Sequence, residues 1–294
     1  MIITKLQGGL GNQMFQYAFA KSLAYKNKTT FKLDLSFLLD RSPRENFMFR
    51  EFDLDIFNLE SKIANDDDLV KKNQYNKFKK IISKITSSEF IDLKENHFYF
   101  EESNFLKNKN VYLDGYWQSE KYFKDFENEL REDFTFRYKL SLFEEEMNSK
   151  IQSTNSICIN FRRTDFVNLK NSAETHGTIG LEYYEEAIAL IASKISNPIF
   201  YVFSDDMEWC LHNFKINYPI IFVSHDFKGF KFSSYLQLIS NCKHFIIPNS
   251  TFAWWGAWLS KYEKKIVIAP ENWFNDTSLQ NQTKDLIPES WIKL

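Results

Sequence analysis

The chain is poor in the residues that build loops, staples and membrane spans. Its 294 residues include 8 Gly, 6 Pro and 3 Cys. Cys158, Cys210 and Cys242 are odd in number and form no Cys-x-x-Cys pair. That argues against a disulfide framework or a zinc site and favours a reducing compartment. No uncharged apolar run reaches the roughly 18 residues a spanning helix needs. The nearest candidate, from Phe245 to Leu259, is broken by Pro248, Asn249, Ser250, Thr251 and Gly256. The segment Met1 to Gly9 lacks the basic-then-apolar order of a signal peptide, so a cytoplasmic protein is expected. Neither sign of charge dominates: 37 Lys+Arg against 39 Asp+Glu give a formal −2. A dedicated nucleic-acid binder would carry a clear basic excess. What the chain does have is apolar bulk, 44% hydrophobic with 30 Phe, which excludes disorder and allows a sizeable core. The length fits about two domains or one large α/β unit.

Hydrophobic periodicity supplies the organisation. Ile2 to Leu6 reads as a strand, and the glycine-bearing turn Gln7-Gly8-Gly9-Leu10-Gly11-Asn12 follows it. A helix with Phe15, Phe19 and Leu23 on one face comes next, and then a strand over Thr30 to Leu35. Residues 40–110 are charge-rich, with helix expected around 66–85. Val111 to Leu113 predicts a strand, Ser119 to Arg131 a helix and Leu140 to Ile151 a polar helix. The domain boundary is placed in that polar helix, giving domains 1–145 and 146–294. The second half alternates more regularly. Strands are predicted at Ile157–Phe161, Ile199–Phe203, Ile220–Val223, Phe245–Ile247 and Lys265–Ile268. Helices are predicted at Leu181–Ile195, 207–214, Ser233–Ser240 and Thr251–Ser260. This is the alternation of a doubly wound α/β sheet, whose ligands collect where strands end.

The chemistry-bearing residues stand at such ends. Gly8-Gly9-Leu10-Gly11-Asn12-Gln13 is neither a dinucleotide fingerprint, because Met14 occupies the third glycine position, nor a P-loop. It is either a plain tight turn or a loop that lets backbone approach a ligand at a helix N-terminus. Asn160-Phe161-Arg162-Arg163-Thr164-Asp165 follows a strand directly. Strand alternation would send the two arginines to opposite faces, one to a crevice and one to an internal partner such as Asp165. A guanidinium forks onto phosphate oxygens, although a surface salt bridge is the plainer reading. Ser204-Asp205-Asp206 either caps the next helix or accepts hydrogen bonds from a base or ribose. Asn249-Ser250-Thr251 is an N-cap signature whose hydroxyls and N–H groups also suit a phosphate. The tryptophan-rich run Trp254 to Trp258 reads as packing. Asp53-Leu54-Asp55 and Asp66-Asp67-Asp68 look like metal motifs. A strand would turn the first pair to solvent and the second group would cap a helix, so no metal site is expected.

Several of these segments together resemble the bacterial α-1,2-fucosyltransferases of glycosyltransferase family 11. They are Leu6 to Gln16, Arg162-Arg163-x-Asp165, Phe203-Ser204-Asp205-Asp206 and Asn249 to Ala257. Gly115-Tyr116-Trp117-Gln118-Ser119, and His176-Gly177 followed by Leu181-Glu182-Tyr183-Tyr184, look similar too. The resemblance runs from residue 2 to about 273. It implies an α/β fold of GT-B type, with two Rossmann-like domains and a cleft between them. The N-terminal domain would serve the acceptor and the C-terminal one GDP-fucose. It also implies an inverting transfer, without a metal or other cofactor, to the 2-hydroxyl of galactose. The family's arginine box usually begins His-x-Arg-Arg, and Asn160 stands at that histidine. On this resemblance Arg162 holds the donor β-phosphate and Arg163 supports it. Ser250, Thr251 and Phe252 hold the pyrophosphate, while Asp205 or Asp206 receives guanine or ribose. Asn12, Gly9 and Gly11 face fucose or acceptor, and His176 or Glu174 is the candidate base. The acceptor implied is a galactose-terminated O-antigen or capsular oligosaccharide, possibly lipid-linked. Peripheral membrane contact would then fall near Lys71-Lys72 and Lys79-Lys80.

Overall fold

A computed structural model describes residues 1–44, 48–59, 62–69, 90–102, 108–163 and 177–294. Two compact units form. One is Met1–Thr135 with Lys284–Leu286, and the other is Phe136–Thr283 with Ile287–Leu294. The division falls before the 145/146 boundary read from the sequence. The polar helix Leu142–Ser153 packs wholly with the second unit, against the strand that follows it.

The first unit is built on a parallel sheet in the order β2-β1-β4-β3. Its strands are β1 (Ile2–Lys5), β2 (Phe31–Asp34), β3 (Ile91–Lys94) and β4 (Val111–Asp114). The central strands are covered on both faces, which is why Ile2, Ile3, Val111 and Leu113 form near-continuous apolar runs. Helix α1 (Leu10–Lys26) is buried around most of its circumference, not only on the Phe15–Phe19–Leu23 face. Its two fully buried glutamines are satisfied by backbone of other segments. Gln13 donates to the carbonyls of Gly8 (2.9 Å) and Glu51 (2.7 Å) and accepts from Asp53 N (2.9 Å). Gln16 donates to Gly115 O and accepts from Gln7 N, both at 3.0 Å. Asp53-Leu54-Asp55 enters a short 3-10 turn, Leu54–Ile56, not a strand, because Leu54 and Ile56 are both drawn into the core. Asn65, not the aspartate run, opens the next turn. It exchanges hydrogen bonds with Asp68 (2.9 and 3.0 Å), while Asp68 pairs with Lys32 at 2.7 Å. The helix predicted over Ser119–Arg131 is two 3-10 turns followed by α2 (Glu127–Asp133).

The second unit holds a six-stranded parallel sheet in the order β10-β9-β8-β5-β6-β7. These are β5 (Asn155–Phe161), β6 (Pro198–Ser204), β7 (Ile220–Phe222), β8 (His244–Ile246), β9 (Val267–Ala269) and β10 (Ile292–Lys293). Its helices of seven residues or more, among the described residues, are α3 (Leu142–Ser153), α4 (Leu181–Ala192), α5 (Met207–Asn213), α6 (Ser233–Ser240) and α7 (Thr251–Leu259). Helix α3 starts at a reciprocal cap, with Ser141 N donating to Glu144 Oε2 at 2.6 Å and Glu144 N to Ser141 Oγ at 3.3 Å. Helix α7 buries Trp254 and Trp255 completely, as the packing reading anticipated. Gly256 lets α7 approach α6: a Cβ there would collide with Ile239 Cγ2. The chain therefore has the α/β plan of two parallel-sheet units expected of a GT-B enzyme. No helix among the described residues is long and apolar enough to cross a membrane.

Candidate functional site

The order β8-β5-β6 makes three motifs neighbours. All strands are parallel, so Asn249-Ser250-Thr251, Arg162-Arg163 and Asp205-Asp206 leave the same edge of the sheet from adjacent strands. From β5 the chain winds outward through β6 and β7, then returns to β8 on the other side. The β5–β8 pair is thus the topological switch point, above whose strand ends open α/β sheets carry their ligand crevice.

Strand register sets the first contact. Phe161 lies opposite Ser204, so the residues after them meet. Arg162 Nη1 is 3.0 Å from Asp205 Oδ2, and Arg163 N donates to Asp205 Oδ1 at 2.8 Å. The Arg163 guanidinium lies 3.6 Å over the Trp209 ring, with its Nε 3.5 Å from Asp206 Oδ2. Asp206 also accepts from Trp209 N (3.2 Å) and so caps α5. Both arginines therefore turn toward the β6 end. The opposite-face expectation fails because β5 stops at Phe161 and alternation stops with it. Arg163's partners here are Asp206 and Trp209; Asp165, the partner expected for it, lies outside the described residues. Asp205 or Asp206 is the residue expected to receive guanine or ribose; here Asp205 pairs with Arg162 and Asp206 caps α5 beside Arg163. The Arg162 side chain keeps 29% of its surface exposed.

Behind this pair Ser204 is held on three sides. Its N donates to Tyr235 Oη (3.2 Å), its carbonyl meets His225 Nε2 (2.7 Å), and its hydroxyl accepts from Asp206 N (2.9 Å). Burial raises the Cys210 thiol to about 11, so it stays a neutral packing group. Asn160 is buried at the end of β5, where its carbonyl accepts from Tyr184 Oη at 3.1 Å.

On the other side of the switch point, Ser250 is the N-cap of α7, yet its hydroxyl makes no capping hydrogen bond. Asn249 is buried and donates to the carbonyls of Trp273 (3.1 Å) and Gly177 (3.4 Å). Thr251 and Phe252 are half-buried in the first turn. Gly177 has φ +64°, and a Cβ there would strike the Asn275 side chain. Gly177 is therefore held beside the β8–α7 turn. Glu174 and His176, the candidate bases, lie outside the described residues.

In the first unit, Gly8 has φ +78° and a Cβ on it would collide with the Asn12 amide. The glycine thus lets Asn12 lie across the turn, where Gln118 Nε2 donates to Asn12 Oδ1 at 2.9 Å. Gly9 is open and half-exposed, whereas Gly11 is buried in the first turn of α1. Sequence reasoning missed Glu95. It follows β3, and its carboxylate accepts from Tyr116 N (2.6 Å) and Trp117 N (3.0 Å). These bonds hold a strained turn, with Trp117 at φ +57° locked between Phe19 and Tyr122 at ring distances of 5.0 and 5.6 Å. Burial outweighs the two N–H bonds and pushes the Glu95 carboxyl up to about 7. The signal in the sequence was a lone Glu after an alternating four-residue run, which is too short to stand out. Among the described residues no cluster of His, Cys, Asp and Glu could hold a metal ion.

Comparison with known proteins adds to this geometry. Residues 1–294 match the family described as Glycosyl transferase family 11. An alpha-1,2-colitosyltransferase of Escherichia coli is 33% identical over 100% of this chain and 99% of its own length. The O-antigen biosynthesis glycosyltransferase WbnK of Escherichia coli is 32% identical over 98% and 99%. A galactoside alpha-(1,2)-fucosyltransferase 2 of Hylobates lar is 24% identical over 54% of this chain and 48% of its own. Among solved structures, the alpha-1,6-fucosyltransferase NodZ soaked with GDP-fucose covers 95% of each chain, at 13% identity and a TM-score of 0.47.

Proposed function

We propose that this chain, a glycosyltransferase that belongs to glycosyltransferase family 11, transfers L-fucose from GDP-fucose to the 2-hydroxyl of a terminal galactose. The acceptor is a precursor of a surface polysaccharide, met at the cytoplasmic face of the membrane. The reading rests on one observation above all. Arg162, oriented by Asp205, stands on one side of the switch point, and the uncommitted Ser250 cap of α7 stands on the other. A diphosphate laid across that crevice meets a guanidinium fork and a helix N-terminus together.

The chemistry follows from those positions. In a single inverting displacement the anomeric C–O bond to GDP breaks as the acceptor oxygen bonds to the same carbon. Negative charge grows on the β-phosphate as the sugar takes on oxocarbenium character. Arg162 stabilises that charge in place, the role a metal ion plays in other transferases, so no metal is needed. Ser250, Thr251 and Phe252 hold the pyrophosphate through hydroxyls and first-turn N–H groups. Arg163, fixed over Trp209, keeps the box rigid. Asn12 and Gly9 meet the sugar or acceptor, and His176 or Glu174 takes the acceptor proton.

A second donor has specific support, since a colitosyltransferase is 33% identical over the whole chain. The family's usual histidine is also Asn160 here. Asparagine offers a hydrogen bond but no charge, a change that suits a donor with different hydroxyl groups. The deciding experiment offers GDP-fucose and GDP-colitose to a galactoside panel with EDTA present and reads product mass and linkage. An α-1,2-fucosylated product carries the reading, and a colitosylated product alone replaces the donor. GDP binding with no product from either donor overturns both.

A further inference from the structure

Two segments of the second unit form a surface that the transfer chemistry leaves unused. Residues 137–143 precede and open α3, and residues 227–232 precede α6. They meet through two ring pairs, Tyr138 with Phe230 at 5.5 Å and Phe143 stacked on Phe227 at 4.2 Å. Apolar groups on this surface stand out in water: Leu142 is 89% exposed, Phe143 53%, Phe230 51%, Tyr138 44% and Phe232 39%. Scattered exposed apolar residues need no explanation, but five on two touching segments make a patch. The backbone adds to this. Lys231 and Phe232 are successive non-glycine residues in the left-handed region, at φ 48° and 61°, after Gly229 at φ 64°. That conformation is disfavoured, and here it buries neither Phe230 nor Phe232.

The charge carried by the two segments themselves has one sign. The two segments contribute Arg137, Lys139, Lys228 and Lys231 and no carboxylate, in a chain whose net charge is −2. Lys231 Nζ lies 5.3 Å over the Phe230 ring. The acids that border the patch are Asp226, which accepts from Ser224 Oγ (2.9 Å), and Glu144, Glu145 and Glu146 on α3. Glu144 is buried in the Ser141 cap, and Glu145 accepts from Asn148 at 3.0 Å.

We propose that this surface seats the protein on an anionic lipid bilayer, with Leu142, Phe143, Phe230 and Phe232 entering the headgroup layer and the four cations meeting lipid phosphates. Aromatic and aliphatic groups rimmed by Lys and Arg are the composition of an interfacial anchor. A second copy of the chain fits poorly, because a two-fold contact would set four cations against four. The seat lies on residues other than the lysines of 71–80, which are outside the described region. It does not depend on which sugar is transferred.

The test is sedimentation with vesicles of phosphatidylcholine alone or with about one third phosphatidylglycerol, alongside melting curves. Binding is expected to the anionic vesicles only, weakening as salt rises. Each cation near such a surface contributes about fivefold to partitioning. Lys139→Gln with Lys228→Gln should therefore weaken binding about 25-fold without a change in melting temperature. Leu142→Ser with Phe230→Ser should also weaken it. Lys261→Gln with Lys264→Gln makes the same charge change outside the patch and should leave binding intact. Equal binding to both vesicle types, no vesicle binding, dimerisation through the patch without vesicle binding, or equal loss in the Lys261/Lys264 control would each overturn the proposal.

Discussion

Replacing Arg162 with Ala tests the donor site most directly, because the structure separates its two contributions. The ion pair with Asp205 is partly solvated, the side chains keeping 29% and 17% of their surface. After solvent screening such a pair contributes about 1 kcal/mol or less to folding. Asp205 is not orphaned by the change, since it still accepts from Arg163 N at 2.8 Å. The melting temperature should therefore fall by no more than about 2–4 °C for a chain of this size. Turnover should fall far more. Loss of one donor aimed at developing negative charge typically lowers kcat about 10²–10³-fold, or ~3–4 kcal/mol of transition-state stabilisation. Arg162→Lys keeps the charge but not the fork and should recover only part of that loss. Asp205→Asn should act through the same arginine, so the double variant with Arg162→Ala should be little worse than Arg162→Ala alone. The assay is initial-rate transfer with product quantified by mass, set beside GDP affinity and a melting curve. A kcat within about tenfold of the parent would refute the role given to Arg162. So would a collapse in melting temperature, which would make the arginine a structural residue.

Glu95 sets a pH dependence whose sign is opposite to that of most carboxylates. Its pKa is raised from 4.5 to about 7, so this group's stability contribution is whole below about pH 4.5 and is lost as pH rises through 7. Glu95→Gln removes the ionisation, and melting curves from pH 4.5 to 8 should show a flatter decline than the parent; parallel curves would sink the idea. Gly8→Ala forces a Cβ into the Asn12 amide at φ +78° and should cost about 1–3 kcal/mol and displace Asn12 from Gln118. An unchanged denaturation midpoint would count against it. Gly256→Ala wedges α7 away from Ile239 of α6 and should destabilise by about 1–3 kcal/mol in urea unfolding, with no effect if the helices separate freely.

The second unit was legible because its inner strands β5, β6, β8 and β9 are largely apolar and buried, whereas the two-residue edge strand β10 was not read. Ser233–Ser240 matches the predicted helix at both ends. β3 was not legible. Ile91 and Leu93 alternate with Asp92 and Lys94 over only four residues in a charge-rich stretch, and its place in the sheet comes from pairing with β4. The Asp53–Asp55 error has a similar source, because a two-residue apolar spacing fits a strand and a 3-10 turn equally until the core claims Leu54 and Ile56.

The arginine box shows a deeper limit. Its residue types and its position at a strand end were readable. Its partners across the strands were not. Local reasoning offered Asp165, two residues on from Arg163 and outside the described residues. The pairing seen is across strands, because β5 and β6 run parallel in a register that stops at Phe161 and Ser204 together. Had β5 and β6 been known to be neighbours, their aligned ends would have named Asp205 and Asp206. The same adjacency carries Ser250, which reaches the site only because β8 returns to the far side of β5. What a single sequence hides here is therefore strand order more than chemistry, and strand order brings three separate motifs to one end of the sheet.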